Sequence, residues 1–223
     1  MSLLPAKPPK ITFEDVEQKR RAFAATLKTF TSQKGRYHHP APELPAAKLL
    51  GCEVLPNRLA LLDRLPKGAV IAEIGVDRGD FSLEILRRCA PEKLHLFDMD
   101  MTRLQNRDVL EVIAQRASPV KLHAGDSSTN LRKVPDGYFD VIYIDADHAY
   151  EGVKRDIDAA VPKLKPQGVL IFNDYCVWSA TSMFHCGVAR AVHEFCLGNP
   201  WKLRYIALQP MMYNDVMLVR ETA

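Results

Sequence analysis

Residues 139–152 read FDVIYIDADHAYEG. The first six, 139–144, are mostly β-branched and aromatic, the composition of a buried strand. Asp145, Asp147 and His148 follow at once. Tyr150, Val153, Ile157, Val161 and Leu164 then recur at helical spacing, with Glu151 four residues before Arg155 and Lys154 four before Asp158. Strand, acidic turn and amphipathic helix make one βα unit, and a chain of such units folds as a parallel sheet covered on both faces.

The same alternation extends in both directions. Short apolar runs at 69–74, 93–97, 120–123 and 168–172 are expected strands, with helices between them. Asp80 is placed to cap a helix carrying Phe81, Ile85 and Cys89, and Thr102 with Gln105 has the spacing of a capping box ahead of Leu110 and Ile113. A helix near 188–196 and strands near 203–208 and 216–220 complete the pattern, the last two closing as an antiparallel hairpin. Residues 49–65 read as one or two short helices interrupted at Pro56. Upstream, residues 1–48 form an amino-terminal helical extension and linker, and 49–223 the sheet domain. Within the extension, residues 1–10 are Pro- and Lys-rich and irregular. Thr12 caps a helix bearing Phe13, Val16, Phe23, Leu27 and Phe30, and 35–45, with His38, His39 and three prolines, is a linker.

At 223 residues, 47% hydrophobic and 26% charged, the chain has enough material for one sizeable core plus the extension. Collagen-like, disordered and disulfide-scaffold classes are excluded. No apolar run approaches the roughly 20 residues that span a bilayer, and residues 1–11 lack a secretory apolar core. Five cysteines without a C-x-x-C pair point to reduced thiols and to a cytoplasmic location. The extension carries nine Lys/Arg against four Asp/Glu, but these are interleaved with Pro, Ala and aromatic residues. A polyanion wants a dense basic stripe, so neither nucleic acid nor membrane is an expected partner.

In open α/β sheets ligands bind outside the carboxyl ends of the strands. The first of these strands ends in Glu73, Gly75 and Gly79, two glycines that let the backbone turn sharply and approach a ligand. Asp77 between them would repel the phosphates that a G-x-G-x-x-G loop cradles, which argues against a nicotinamide dehydrogenase. The second ends in Asp98, placed to accept from both hydroxyls of a ribose, and the third in Asp126 and Ser127. Each acid has a competing role as a helix cap. Together they suit a nucleoside that bears an amine and no phosphate.

These residues resemble the class I S-adenosylmethionine-dependent methyltransferases over roughly 65–220. The resemblance lies in E-x-G-x-x-x-G from Glu73, the acid Asp98, the G-D-S segment at Asp126, the 139–152 block and LIFNDY at 170–175. The last two resemble small-molecule O-methyltransferases that use a divalent metal, including those acting on catechols, caffeoyl thioesters and macrolide sugars. The sequence departs from that pattern at Asp77 and at Asn173-Asp174, where relatives often have Asp-Asp or Asp-Asn.

The resemblance implies a Rossmann-like, doubly wound α/β fold with seven strands in the order 3-2-1-4-5-7-6, the last antiparallel. It implies S-adenosyl-L-methionine as cofactor, with Glu73 near its methionine end, Asp98 at the ribose, Asp126 near the adenine, and Gly75, Gly79, Ser127 and Asp147 around it. The acceptor would be a small-molecule hydroxyl. The fourth and fifth strands are expected neighbours, so Asp145, Asn173 and Asp174 would converge as hard oxygen ligands for Mg²⁺ or a similar cation. A hydrogen-bonded acid cluster without metal is the competing reading. His148, beside Asp145, is a candidate general base or a structural loop residue. Cys176 is assigned to packing, and Trp178, Met183 and Phe184 to the substrate pocket or the core. The extension is assigned to a cap over the acceptor or to a homo-oligomer contact. A metal-independent methyltransferase and a non-catalytic nucleoside-binding protein remain open alternatives.

Overall fold

The computed structural model describes residues 10–37, 39–115, 119–180 and 183–221. The expectation for residues 1–10 falls almost wholly outside them, as does His38. The chain divides into two compact units, Met1–His39 and Pro40–Ala223. The first carries α1 (Phe13–Ser32), whose start is a capping box: the Thr12 hydroxyl oxygen accepts the Asp15 N–H while the Asp15 carboxylate accepts the Thr12 N–H.

The second unit runs β1 (Glu53–Leu55), α2 (Arg58–Leu62), β2 (Val70–Ile74), α3 (Asp80–Cys89), β3 (Lys93–Asp98), α4 (Arg107–Ala114) and β4 (Val120–Ala124). It continues α5 (Ser127–Arg132), β5 (Phe139–Ile144), α6 (Tyr150–Ala160), β6 (Leu164–Phe172), α7 (Val188–Gly198), β7 (Trp201–Ala207) and β8 (Asp215–Arg220). All five residues of β2 are buried, as a central parallel strand covered on both faces requires. Alternate residues of β5 serve opposite faces: Ile142 and Ile144 pack with Phe97, Ile157 and Phe172, whereas Val141 and Tyr143 pack with Phe81, Ile85 and Ile171.

The sheet has eight strands, in the order β1-β7-β8-β6-β5-β2-β3-β4. Seven strands were expected, and the expected order is corrected accordingly, because β1 lies beyond β7 and pairs with it in parallel. Residues 49–65 were read as helix, yet three of them form this edge strand and only Arg58–Leu62 is α-helical. β8 is antiparallel to both β6 and β7. β6 starts at Leu164, four residues before its expected start. An irregularity between Phe139 and Val141 absorbs Pro166, which has no N–H for the ladder.

Two expected caps are corrected. Gly79, in the left-handed region at φ 87°, precedes α3, and Asp80 instead accepts from Asn106 Nδ2 at 2.9 Å. Asn106 caps α4 by accepting from the N–H groups of Asp108 and Val109, while Thr102 lies in a short 3₁₀ turn capped by Asp100. Among the described residues no helix is long and apolar enough to cross a membrane.

Candidate active site

Backbone hydrogen bonds carry the ladder one residue past each strand and set the acidic loops level. Gly75 N–H donates to Phe97 O at 2.8 Å, Asp145 N–H to Ile74 O at 2.7 Å, Asn173 N–H to Ile144 O at 3.0 Å and Gly125 N–H to Asp98 O at 2.9 Å. Gly75 and Gly79 both have φ of 87°, a conformation that L-residues seldom adopt. The sharp turn expected of this pair is what they form.

A cavity of about 610 Å³ opens at these ends. Of the predicted residues, Glu73, Gly75, Asp98, Asp126, Ser127, Asp145 and Asp147 line it, whereas Gly79, His148, Asn173 and Asp174 do not. Asp98 Oδ2 accepts from the N–H groups of Val76 at 2.8 Å and Asp77 at 3.0 Å, and Oδ1 from Asp100 N–H at 2.9 Å. The carboxylate therefore pins the glycine turn to β3 and keeps spare lone pairs toward the cavity. Asp126 caps α5, accepting from Thr129 N–H at 2.7 Å and Ser128 Oγ at 2.9 Å, and these donors hold its carboxyl below the usual Asp value. Its capping role is thus real, and it faces the cavity as well. The Ser127 hydroxyl is turned to Asp156 at 2.8 Å. Asp147 accepts the Ala149 N–H at 2.9 Å and faces Arg155 at 3.4 Å. The expected pairing of Arg155 with Glu151 gives way to this contact.

Glu73 is 1% exposed, and Ser82 Oγ donates to it at 2.5 Å. Burial pushes its carboxyl up to about 8, so it is mostly neutral near pH 7. Behind it, the Tyr143 hydroxyl donates to Asp215 Oδ2 at 2.7 Å and Asn173 Nδ2 to Asp215 Oδ1 at 2.9 Å. Asp215 is fully buried and pushed up to about 7 by that burial. This triad was not foreseen: Asp215 stands in a segment that reads as a turn.

Asp145 Oδ1 and Asp174 Oδ2 lie 3.3 and 3.6 Å from one atom, His148 Nε2. That nitrogen is buried and has no well-formed hydrogen bond. Burial alone would lower the imidazole's pKa, but the two carboxylates outweigh it and the net direction is up. The expected ligand trio is corrected at Asn173, whose amide nitrogen is committed to Asp215, leaving only its carbonyl oxygen. Among the described residues no group of three or more His, Cys, Asp or Glu side chains is arranged to hold a metal ion. Asp145 and Asp174 remain as two hard oxygen donors, with His148 Nε2 against both.

Four arginines on the cavity wall, Arg58, Arg78, Arg103 and Arg155, were not singled out from the sequence. Arg103 forms an ion pair with Asp77, which offsets the charge that sets this turn apart from a phosphate loop. Cys176, Trp178, Met183 and Phe184 do not line the cavity; Cys176 packs against the core, whereas Met183 and Phe184 are exposed.

The family model described as a methyltransferase domain, Methyltransf_24, matches residues 72–175, from β2 to the loop after β6. No curated protein matches the chain. An assigned O-methyltransferase from Klebsiella pneumoniae superposes with a TM-score of 0.57 at 20% identity, over 82% of this chain and 84% of that one. An rRNA methylase from Streptococcus thermophilus gives 0.54 at 14%, over 74% and 95%. The pyocyanin biosynthetic protein PhzM gives 0.54 at 14%, over 73% of this chain, which spans 54% of the length of PhzM. Residues 72–175 therefore carry the pattern of a methyltransferase domain, set in a fold that these structures share.

Proposed function

We propose that this protein transfers a methyl group from S-adenosylmethionine to a hydroxyl of a small molecule. The observation that carries the reading is the gathering of Glu73, Asp98, Asp126 and Asp145 around one cavity, at the ends of four adjacent strands. A site so acidic favours a cationic, phosphate-free nucleoside over a dinucleotide.

When bound, the cofactor supplies an electrophilic methyl on a positively charged sulfur. Asp98 has lone pairs for the ribose hydroxyls, and its three backbone donors fix it in place. Glu73, neutral and buried, can donate as well as accept a hydrogen bond at the inner end of the cavity. His148 and Asp145 hold a proton-accepting nitrogen next to a carboxylate that steadies the imidazolium once the acceptor's proton has arrived. Alignment of reacting groups accounts for much of the catalysis expected of such a site, since no covalent intermediate is involved.

A divalent cation is the auxiliary in this reading. Asp145 and Asp174, with the Asn173 carbonyl oxygen, would hold it, and it would acidify a bound hydroxyl. One observation favours a metal-independent version: His148 Nε2 already stands between the two carboxylates. The test is methyl transfer from labelled S-adenosylmethionine to a panel of catechols and sugar hydroxyls, with Mg²⁺ and after exhaustive chelation. Product only with metal supports the first version and equal product in both supports the second. Cofactor binding with no product across the panel would favour a nucleoside-binding protein instead.

A further inference from the structure

We propose that Arg58 anchors a carboxylate carried by a ligand of the strand-end cavity. Arg58 is the first residue of α2, and its half-buried side chain lines the cavity wall. Its guanidinium carbon lies 4.3 Å from the centroid of the Phe81 ring, which fixes the plane of the fork. The Tyr143 hydroxyl lies beside it, its own proton committed to Asp215. Arg58 forms no ion pair among the described residues. A guanidinium has five N–H donors, and a partly buried one keeps most of them only if a ligand or water accepts them.

The nearby acids do not meet that demand. Glu73, Asp145, Asp174 and Asp215 all feel the charge of Arg58, but none lies within ion-pair distance of it. Burial raises the carboxyls of Glu73 and Asp215 despite the charge of Arg58. On the same wall Arg103 is paired with Asp77 and Arg155 with Asp147, while Arg78 is exposed to solvent. Arg58 is thus the inward cation with donors to spare.

A flat fork stacked on an aromatic ring matches a carboxylate bidentately. Resting on the function proposed above, the first source of that carboxylate is the amino-acid end of the cofactor. The second is an acidic acceptor.

Calorimetry with S-adenosylhomocysteine and 5′-methylthioadenosine separates these, because the second nucleoside lacks the amino-acid carboxylate. The wild type is expected to prefer the first. Arg58→Met, which keeps the apolar stem on Phe81, should weaken S-adenosylhomocysteine by about tenfold to a hundredfold and leave methylthioadenosine within about threefold, with partial recovery in Arg58→Lys. Melting curves establish that each variant is folded. Melting shifts with 3,4-dihydroxybenzoate against catechol, without nucleoside, form the second arm. A preference for the acid that Arg58→Met erases, with nucleoside binding unchanged, assigns the carboxylate to the acceptor. Equal loss of both nucleosides, or no change in either preference, overturns the anchor. A wild type that binds neither nucleoside overturns the cofactor reading, and the diol pair then decides Arg58 alone: a preference erased in Arg58→Met upholds the anchor, and no such preference overturns it.

Discussion

Gly75 and Asp145 pass so closely that a β-carbon built on the glycine falls 1.9 Å from the aspartate's carbonyl oxygen. The end of β2 therefore lies against the end of β5 with no room for a side chain, and φ at Gly75 is 87°. Gly75→Ala must move backbone and not merely a rotamer. It is expected to cost about 2 to 4 kcal/mol of stability and to abolish tight cofactor binding. Denaturant titration with calorimetry checks both, and a variant with normal stability would show that the two loops separate easily.

Asp98→Asn retains one acceptor oxygen for the glycine turn and removes the charge. Binding of S-adenosylhomocysteine should weaken by about 1.5 to 3 kcal/mol, as expected for a lost charge-assisted contact. Unchanged affinity in a folded protein would mean that Asp98 serves the loop alone. Alanine is the poorer probe here, because it would also strand the N–H groups of Val76, Asp77 and Asp100.

His148 accepts a proton only when neutral, and its carboxylate neighbours raise its pKa despite burial. The rising limb of turnover should therefore lie above about 6.5, the ordinary imidazole value. His148→Ala should lose roughly 10² to 10⁴ in rate with cofactor affinity intact. The same pH limb at near-normal rate in the variant would assign the proton to water and leave His148 a loop residue.

Stability itself should fall as pH rises through neutrality. Glu73, raised to about 8, and Asp215, raised to about 7, bind a proton in the folded state that the unfolded chain has released. Their contribution is complete below their ordinary values of 4.5 and 3.8 and is lost as pH climbs through 8 and 7. His95, pushed down to about 4 by burial, acts oppositely, adding stability as pH rises from 4 to 6.5. The two effects offset each other at acid pH, so the clearest decline is expected between about 6.5 and 8. Denaturant midpoints across this range test it. Glu73→Gln should flatten the slope, removing about 2 kcal/mol of the fall across this range; an unaltered slope would show that Glu73 is ionised in the fold.

The five parallel strands β2 to β6 were legible because each is a short segment that runs through or alternates with apolar residues, and strand ends in an open sheet are where acids must be sought. Asp98, Asp126 and Asp145 followed from that rule. The three residues of β1 carry no such run, and beside Asn57 and the Leu-rich segment after it they read as helix. Arg58 was overlooked for a related reason: an arginine opening a short helix resembles any solvated cation until the fold turns it over Phe81. The Asn173 amide was placed on the metal because its partner, Asp215, is 42 residues later in a segment that resembles a turn. Local pattern reports what a residue's neighbours in sequence require, and these three depend on contacts made across the sheet.

β1 is the first strand of the sheet to be synthesised, and its only partner is β7; Glu53 and Arg204, which join the two at 2.8 Å, are 151 residues apart in sequence. A nascent chain emerging from a ribosome thus holds an unpaired strand until β7 has followed. Asp215, on which Tyr143 and Asn173 both depend, arrives later still. The acid-rich loops of the pocket can form early, and the Asp215 hydrogen bonds behind them only once β8 has been made. A complete pocket therefore waits on β7 and β8, and a chain cut short before β7 would be a partial sheet with an open flank.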